Sequence, residues 1–276
     1  MKHGLALPYT SARKVADYAQ LAEETDWDGV FLGDAVWTVD PFVSLAAAAM
    51  VTQRIRLGTM VVPVPLRKPW KLASEAGAVD NLSGGRLTLG LGAGAVWMGW
   101  QGFPDEVTDT RARAGMLDET IDILTLLFQG KPFDYDGKHF HLKLSLLDEQ
   151  HYPPRPVQQP RIPLWVVGVW PRMKSMRRAL KCDGLLPMKM NPEGKFVDFD
   201  PEDVRAMRAF IEAEGGKDRP FDIVVEKKVG GLDATQAREQ LAAWEEAGAT
   251  WLIEGLWGEN DEGVARRIRQ GPPGKL

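Results

Sequence analysis

The stretch PWKLASEAGAVDNLSGGRLTLGLGAGA, residues 69–95, decides the fold because it predicts a helix followed by a buried strand. Its first half predicts a helix over residues 69–82, and its second half predicts a strand from Leu87 to Gly92. The strand is a continuous apolar run rather than an alternation of apolar and polar residues. Strands that are buried on both faces of a parallel sheet have this pattern.

The same unit, a short apolar strand and then a helix, recurs along the chain. The predicted strands are residues 5–7, 29–33, 55–62, 87–92, 162–169, 184–187, 221–225 and 250–253. The predicted helices are residues 11–25, 41–53, 69–82, 111–128, 173–181, 201–214, 235–247 and 259–269. Eight units in 276 residues fit an α/β protein of the (β/α)8 TIM-barrel class, which typically has about 250 residues. A doubly wound sheet is the main alternative, although it usually has fewer strands per domain.

Residues 131–161 separate the fourth helix from the fifth strand and are too long for a simple turn. They contain a predicted hairpin at 133–142 around Asp136-Gly137, followed by Pro153, Pro154, Pro156 and Pro160. We interpret residues 1–276 as one barrel domain that carries this segment as an insertion. Because long loops in compact domains are usually functional or disordered, we expect the insertion to cover the barrel mouth and narrow the substrate entrance.

Composition narrows the class of protein. The chain is 44% hydrophobic and 26% charged, and its 34 basic and 38 acidic residues give a net charge of −4. This even mixture argues against a nucleic-acid-binding surface, and no apolar run approaches the roughly 20 residues that span a membrane. The single cysteine, Cys182, excludes an internal disulfide and a cysteine-based zinc site. We expect a cytoplasmic protein without a metal site, in which Cys182 is an inert buried thiol.

Several segments resemble one family. Residues 27–34, 54–59, 64–69, 80–94, 156–165 and 183–184 are similar to the bacterial luciferase-like family of flavin- and F420-dependent oxidoreductases, and the stretch from Asp80 to Gly94 is the most specific. The similarity covers almost the whole chain. The family has a TIM-barrel fold, which agrees with the count of β-α units. The resemblance implies redox chemistry through a bound isoalloxazine or deazaflavin, for which the protein supplies position and electrostatics.

The resemblance, together with small apolar strand tips, predicts where such a cofactor binds. Small residues let a flat ring approach the backbone, and the start of the fifth helix offers free N–H groups to a phosphate. The segment from Met60 to Pro63 is similar to a bulge where family members often hold a non-proline cis peptide. The predicted cofactor contacts are Met60, Val61, Val62, Gly92, Ala93, Gly94, Gly168, Val169, Trp170 and Lys174, with Arg113 (or Arg111 in another register) and Lys189 as further phosphate candidates.

Asp34 is the candidate catalytic residue because it is a carboxylate at the tip of a central strand. It would hydrogen-bond cofactor or substrate, or else cap the following loop or pair with a nearby arginine. The family usually places His directly after this Asp, and its sugar-oxidising F420 members place Glu after the fourth-strand glycines. Ala35 and Ala95 occupy those two positions here, so two acid-base groups are missing.

Other polar residues have less direct interpretations. His139, His141 and His151 lie in the insertion, where solvated positions are favoured over a fold across the site. Arg56, Asp80 and Arg86 belong to the N-terminal face of the barrel, where we expect structural ion pairs.

The strand ends are apolar and aromatic, which suits a planar ring and a small apolar or aromatic substrate. The predicted substrate pocket consists of Tyr9, Trp37, Trp97 and Trp257. We therefore expect a monooxygenase or reductase that uses FMN, with F420 as the alternative, a flavin or F420 reductase as partner, and a homodimer. A non-catalytic flavin- or ligand-binding barrel and an unrelated barrel hydrolase are the competing hypotheses.

Overall fold

The computed structural model describes residues 1–152, 155–215, 217, 219–230 and 234–273. The strands within these ranges are β1 (Lys2–Leu7), β2 (Gly29–Leu32), β3 (Arg56–Thr59), β4 (Val62–Pro63), β5 (Leu87–Gly92), β6 (Asp134–Asp136), β7 (His141–Lys143), β8 (Leu164–Trp170), β9 (Gly184–Met190), β10 (Phe196–Val197), β11 (Asp222–Glu226) and β12 (Trp251–Gly255). The α-helices are α1 (Ala12–Glu24), α2 (Pro41–Val51), α3 (Pro69–Leu82), α4 (Thr110–Leu127), α5 (Met173–Ala179), α6 (Pro201–Gly215), α7 (Ala234–Glu246) and α8 (Asp261–Arg269).

The parallel strands of these described ranges close into a barrel. Around it, β1, β2, β3, β5, β8, β9, β11 and β12 pair in that order, and β12 pairs back to β1. One helix follows each of these strands, so the predicted (β/α)8 TIM barrel is confirmed. Since the strands are all parallel, their C-terminal ends meet at one face, where TIM-barrel active sites lie.

The third barrel strand differs from the prediction. The sequence predicts one strand over 55–62, whereas β3 ends at Thr59 and β4 begins at Val62. Between them the Met60–Val61 peptide bond is cis, and β4 continues, through Val62 and Pro63, the pairing with β5 that β3 begins. The interruption turns Met60 and Val61 towards the barrel interior.

Aromatic side chains fill the lower part of the barrel interior. The Phe31 ring stacks on Trp165 with centroids 5.2 Å apart, and Trp251 packs edge-on against Phe31 at 5.7 Å. Glycines make room for them: a Cβ on Gly58 would lie 2.6 Å from the Phe31 ring, and one on Gly29 would lie 2.8 Å from it. These aromatic side chains fill this part of the barrel interior.

Polar residues organise the N-terminal face through hydrogen bonds. Arg86 donates to the carbonyl oxygens of Ala49, Thr52 and Ile55, while Asp80 accepts from the side chain of Gln158 at 2.7 Å. The expected structural ion pairs among Arg56, Asp80 and Arg86 are therefore wrong, since these groups bind carbonyl oxygens and an amide instead. No described helix combines the length and apolarity needed to cross a membrane.

Candidate active site

A cavity of about 450 Å³ opens at the C-terminal ends of the strands. This volume lies within the roughly 300–1,000 Å³ range of small-molecule sites. Its walls are mainly apolar. They consist of Tyr9, Gly33, Asp34, Ala35, Met60, Val61, Pro63, Gly94, Ala95, Trp97, Met98, Trp100 and Trp257.

Many residues predicted from the sequence meet at this cavity. Those that line it are Tyr9, Asp34, Met60, Val61, Gly94, Trp97 and Trp257. Gly92 lies beside them, since a Cβ there would be 2.9 Å from Val61 Cγ2. Two others lie elsewhere: Val62 is fully buried in the core, and Trp37 is 71% exposed and packs against Gly99 at the rim.

The residues predicted from the fifth and sixth barrel strands do not reach this cavity. A Cβ on Gly168 would meet Leu185 and Met176 in the helix layer, and Trp170 packs against Phe210 of α6 at 6.4 Å. Lys174 is exposed. Alternation along β8 explains the positions of Gly168 and Trp170. Val167 faces the barrel interior, and residues 168 and 170 have the opposite parity and face outward.

Lys189 follows the same rule of alternation, whereas Val169 has the same parity as Val167. Lys189 Nζ lies 2.7 Å from Asp203 of α6 and forms an ion pair there. The Val169 amide donates to the Ser175 hydroxyl at 3.0 Å, which fixes the chain just before α5. The structure therefore gives Lys189 a carboxylate partner in the helix layer, away from the cavity.

Arg113 lies behind the cavity wall and is 1% exposed. Its Nε donates to the Ala93 carbonyl and its Nη1 to the Val107 carbonyl, each at 2.7 Å. The guanidinium stacks on Trp100 at 3.6 Å. Among the described residues Nη2 has no partner, and it lies 2.4 Å from where a Cβ on Gly94 would be. Arg113 thus holds the loop that forms one cavity wall and keeps one buried donor beside it.

Asp34 combines two of the roles that the sequence leaves open. Its Oδ2 accepts from Arg67 Nε at 3.1 Å, so it pairs with an arginine, and it also lines the cavity. Its side chain is 5% exposed. Burial raises the pKa of Asp34 above its usual range, while the adjacent Arg67 charge acts against that increase.

Tyr9 and Trp257 also line the cavity. Their rings are 6.1 Å apart, and the Tyr9 hydroxyl lies over Gly33, 3.1 Å from where a Cβ would be. Burial, and then the charge of Asp34, raise the pKa of the Tyr9 hydroxyl. The hydroxyl therefore remains a neutral hydrogen-bond donor beside the carboxylate.

Glu226 is not among the residues predicted from the sequence, and its Oε1 accepts from the Trp257 indole at 2.6 Å. Glu226 is the last residue of β11, and the predicted strand stops one residue earlier. Pro63, Met98 and Trp100 line the cavity without having been predicted to do so. Their positions in the third-strand bulge and in the loop after the fourth strand are the signals that could have identified them.

The insertion packs against the outside of the barrel. Its two strands β6 and β7 form a hairpin, and Glu119 of α4 accepts the backbone amides of Lys138, His139 and Phe140. The Phe140 ring meets Trp70 at the start of α3 edge-on at 6.5 Å. No described residue of 131–161 lines the cavity, so the expectation that the insertion covers the mouth is wrong. Pro153 and Pro154 lie outside the described residues.

Other candidate reactive groups lie away from the cavity. Cys182 is buried, and that burial raises the pKa of its thiol to about 12, which suits an inert thiol. Within the described residues, no group of three or more His, Cys, Asp or Glu side chains is arranged to hold a metal ion.

The family model of the luciferase-like monooxygenases matches residues 1–253. The chain belongs to this family. Within it, the chain is 34% identical over 205 residues to a provisionally named coenzyme F420-dependent oxidoreductase of Mycobacterium tuberculosis, covering 70% of this chain and 56% of that relative. It is also 32% identical over 129 residues to the oxygenase component of a flavin-dependent trigonelline monooxygenase of Acinetobacter baylyi, covering 47% and 34%.

Solved structures share the fold. The F420-dependent tetrahydromethanopterin reductase of Methanopyrus kandleri superposes with a TM-score of 0.74 over 98% of both chains at 17% identity. The oxygenating constituent of 3,6-diketocamphane monooxygenase from Pseudomonas putida, in complex with FMN, gives 0.63 at 23% identity over 87% of this chain and 70% of that one. The two curated relatives therefore bear the names of an F420-dependent oxidoreductase and a flavin-dependent monooxygenase, which supports an enzymatic role. The chain spans about half the length of the curated relative named first.

Proposed function

We propose that the chain is a luciferase-like oxidoreductase that binds FMN, or alternatively F420, and acts on a small apolar or aromatic molecule. The observation that carries this proposal is the apolar cavity at the strand ends, with a single buried carboxylate, Asp34, in its wall. When bound, such a cofactor supplies hydride transfer or oxygen activation. The chain supplies the shape and the polar contacts of the site.

The described residues fit a flat ring system. Met60 and Val61 form one wall, and Gly94 and Ala95 form another without large side chains. Asp34 would accept a hydrogen bond from the ring edge or from the substrate. The unpartnered Arg113 Nη2 supports a role for this arginine near an anionic or carbonyl group, which it would meet if the Gly94 backbone shifted.

The aromatic side chains around the mouth would exclude water. Trp97, Met98 and Trp100 come from the loop after β5, and Trp257 faces them from beyond β12. A closed, dry site strengthens electrostatic contacts and protects reactive intermediates. Tyr9 would donate a hydrogen bond at the mouth, because its hydroxyl stays protonated.

We propose that the phosphate of the cofactor binds at residues 168–174. Arg172 and Lys174 are exposed cations at the start of α5. Lys189 would have to exchange its ion pair with Asp203 for the phosphate.

FMN is preferred over F420 because Ala35 lacks the imidazole that the family usually places there. With FMN, a separate flavin reductase would supply the reducing equivalents; with F420, an F420 reductase would do so. A non-catalytic flavin- or ligand-binding barrel is the competing function, and the missing acid-base groups at Ala35 and Ala95 favour it.

Cofactor titration tests the proposal. We expect FMN to bind with a dissociation constant below about 1 mM, equal to at least about 4.1 kcal/mol, and more tightly than F420. The measurement is quenching of cofactor fluorescence and change of its absorbance on addition of protein. Binding of neither cofactor would refute the proposed function. Binding without turnover of reduced cofactor in the presence of oxygen or candidate acceptors would favour the non-catalytic barrel.

A homodimer is also proposed, and the outer face of α2 supports it. Val43 and Met50 are 61% and 67% exposed, and Ala46, Ala47 and Val51 complete this face without a polar side chain. A helix that is apolar all round is normally covered. A second copy of the chain would bury the same face on both partners, as two-fold symmetry requires.

Substitution of Met50→Glu together with Val43→Glu should convert the dimer to a monomer. Each copy would contribute two unpaired carboxylates, so the interface would bury four of them. Light scattering after size exclusion at micromolar concentration measures the mass. Ala213→Glu on the exposed side of α6 serves as the control and should leave the mass unchanged. A monomeric wild-type protein would contradict the proposed dimer.

A further inference from the structure

Arg67 lies behind the cavity wall and donates to three different carboxylates. Its Nε bonds Asp34 Oδ2 at 3.1 Å, its Nη2 bonds Asp40 Oδ2 at 2.8 Å, and its Nη1 bonds Glu75 Oε2 at 2.9 Å. A guanidinium suits this arrangement because its donors form a rigid planar fork. No other cation in the described part of the chain pairs with three carboxylates.

These three bonds connect the strand tip to two helices. Asp34 follows β2, and Glu75 lies in α3. Asp40 is the N-cap of α2, where its Oδ1 accepts the amides of Phe42 and Val43 at 2.8 and 3.0 Å. Arg67 therefore fixes both ends of the 35–39 segment, which contributes Ala35 to the cavity wall.

The contact with Arg67 occupies only one oxygen of Asp34. Oδ2 accepts from Nε, and no hydrogen bond to Oδ1 occurs among the described residues. The Asp34 side chain lines the cavity, whereas Arg67 does not. With Oδ2 held on the protein side, Oδ1 is the oxygen left for a ligand.

Several groups act on the pKa of Asp34, and Arg67 is the one whose positive charge lowers it. The charged and titratable groups that act on it within the described chain are Arg67, Asp40, Glu75 and the Tyr9 hydroxyl. Burial raises the pKa of Asp34, Arg67 lowers it, and the charges of Asp40 and Glu75 raise it again. Without Arg67, a buried carboxylate would face two like charges and would take up a proton more readily.

We propose that Arg67 is a positioning residue that holds Asp34 ionised, with Oδ1 turned to the cavity as the acceptor for an N–H or O–H group of the bound ligand. The identity of that ligand rests on the proposed function. The orientation and ionisation of Asp34 do not, because they follow from contacts within the chain. Tyr9 adds a donor beside this acceptor, so a ligand edge with both an N–H and a carbonyl oxygen matches the pair.

The first test measures Asp34 directly in the ligand-free protein. Carboxyl ¹³C NMR follows the titration of aspartates, and the Asp34→Asn variant identifies the Asp34 signal. In Arg67→Gln the midpoint of Asp34 should rise by at least about one pH unit, and Arg67→Lys should recover most of that shift. The control Arg86→Gln, at the opposite face, should leave the midpoint unchanged. An unmoved midpoint in Arg67→Gln would overturn the proposal.

The second test uses FMN and F420 as probes in a double-mutant cycle. Asp34→Asn and Arg67→Gln should each weaken binding about 10-fold, and the double variant should bind no more weakly than Asp34→Asn alone, because both act through one carboxylate. If the loss of affinity in the double variant equals the product of the losses in the two single variants, Arg67 affects binding independently of Asp34, and the proposal is wrong.

The two tests separate the two hypotheses. If Arg67→Gln does not fold, cofactor binding by the double variant is compared with cofactor binding by Asp34→Asn. Neither of these two variants has a charge at position 34, so the comparison still tests whether Arg67 acts through Asp34. If the wild-type protein binds neither probe, the proposed function fails, and the NMR titration alone judges Arg67.

Discussion

Replacing Ala95 by tryptophan should abolish cofactor binding while leaving the barrel folded. Ala95 is half-buried and lines the cavity, as Met60 and Val61 do. The cavity has a volume of about 450 Å³, and an indole at this position would occupy space that the cofactor ring needs. We expect the dissociation constant for FMN and for F420 to rise at least about 100-fold, equal to about 2.8 kcal/mol. Fluorescence titration measures the loss.

The matched control is Ala213→Trp, which places the same side chain on the exposed surface of α6. It should bind both cofactors as the wild type does, and chemical denaturation should show both variants cooperatively folded. If Ala95→Trp binds the cofactor normally, the ring does not occupy the cavity between these walls. In that case the open depression beside β9 and β10, lined by Met188, Phe196 and Phe199 and about 470 Å³ in volume, becomes the next site to test.

The order of strands and helices could be predicted because every barrel strand is buried on both faces. Leu87–Gly92 is buried throughout and the central residues of its counterparts are mostly apolar, which is the pattern of a strand between a helix layer and a barrel interior. The break at Met60–Val61 could not be predicted from this pattern, because both residues are apolar and continue the run. Local hydrophobicity does not encode this interruption between β3 and β4, which both pair with β5.

The position of the cavity could also be predicted, since it follows from the fold rule that TIM-barrel sites lie at the C-terminal strand ends. Individual side chains were less predictable. Gly168, Trp170 and Lys189 come from the correct strand ends but face the helix layer, because side chains alternate along a strand. When a strand is apolar on both faces, the sequence alone does not show whether its odd-numbered or its even-numbered side chains face the barrel interior.

Long-range partners were the least predictable features. Arg67 binds Asp34 from 33 positions away, and nothing in its local sequence marks that contact. The insertion likewise contains buried Phe140 and Leu142, yet whether they pack on the mouth or on α3 and α4 depends on the tertiary fold. Apolar residues in a hairpin indicate that it is docked, but they do not indicate where.

Dehydrogenation of alcohols or sugar phosphates with F420 should be negligible, because positions 35 and 95 supply no acid-base group and Arg67 weakens Asp34 as a base. A general base typically contributes about 10²–10⁴-fold to the rate. Ala35 and Ala95, which stand where sugar-oxidising relatives carry acid-base groups, both line the cavity with methyl groups. Starting from the low end of usual turnover, about 1 s⁻¹, loss of the base predicts rates below about 10⁻² s⁻¹.

The insertion histidines do not line the described cavity. His141 pairs with Asp136 at 2.7 Å on the outer hairpin, His139 lies against Gly115 of α4, and His151 lines a separate pocket with Trp70. Arg67 binds Oδ2 of Asp34, and its positive charge makes the carboxylate a weaker base. The measurement is anaerobic reduction of F420 with glucose 6-phosphate and with small secondary alcohols, using protein already shown to bind F420. Turnover near 1 s⁻¹ would contradict the prediction and would identify Asp34 as the base, since it is the carboxylate that lines the described cavity. Chemistry whose reactivity comes from the reduced cofactor needs no such base, so the same protein can fail this assay and still consume reduced cofactor in the presence of oxygen.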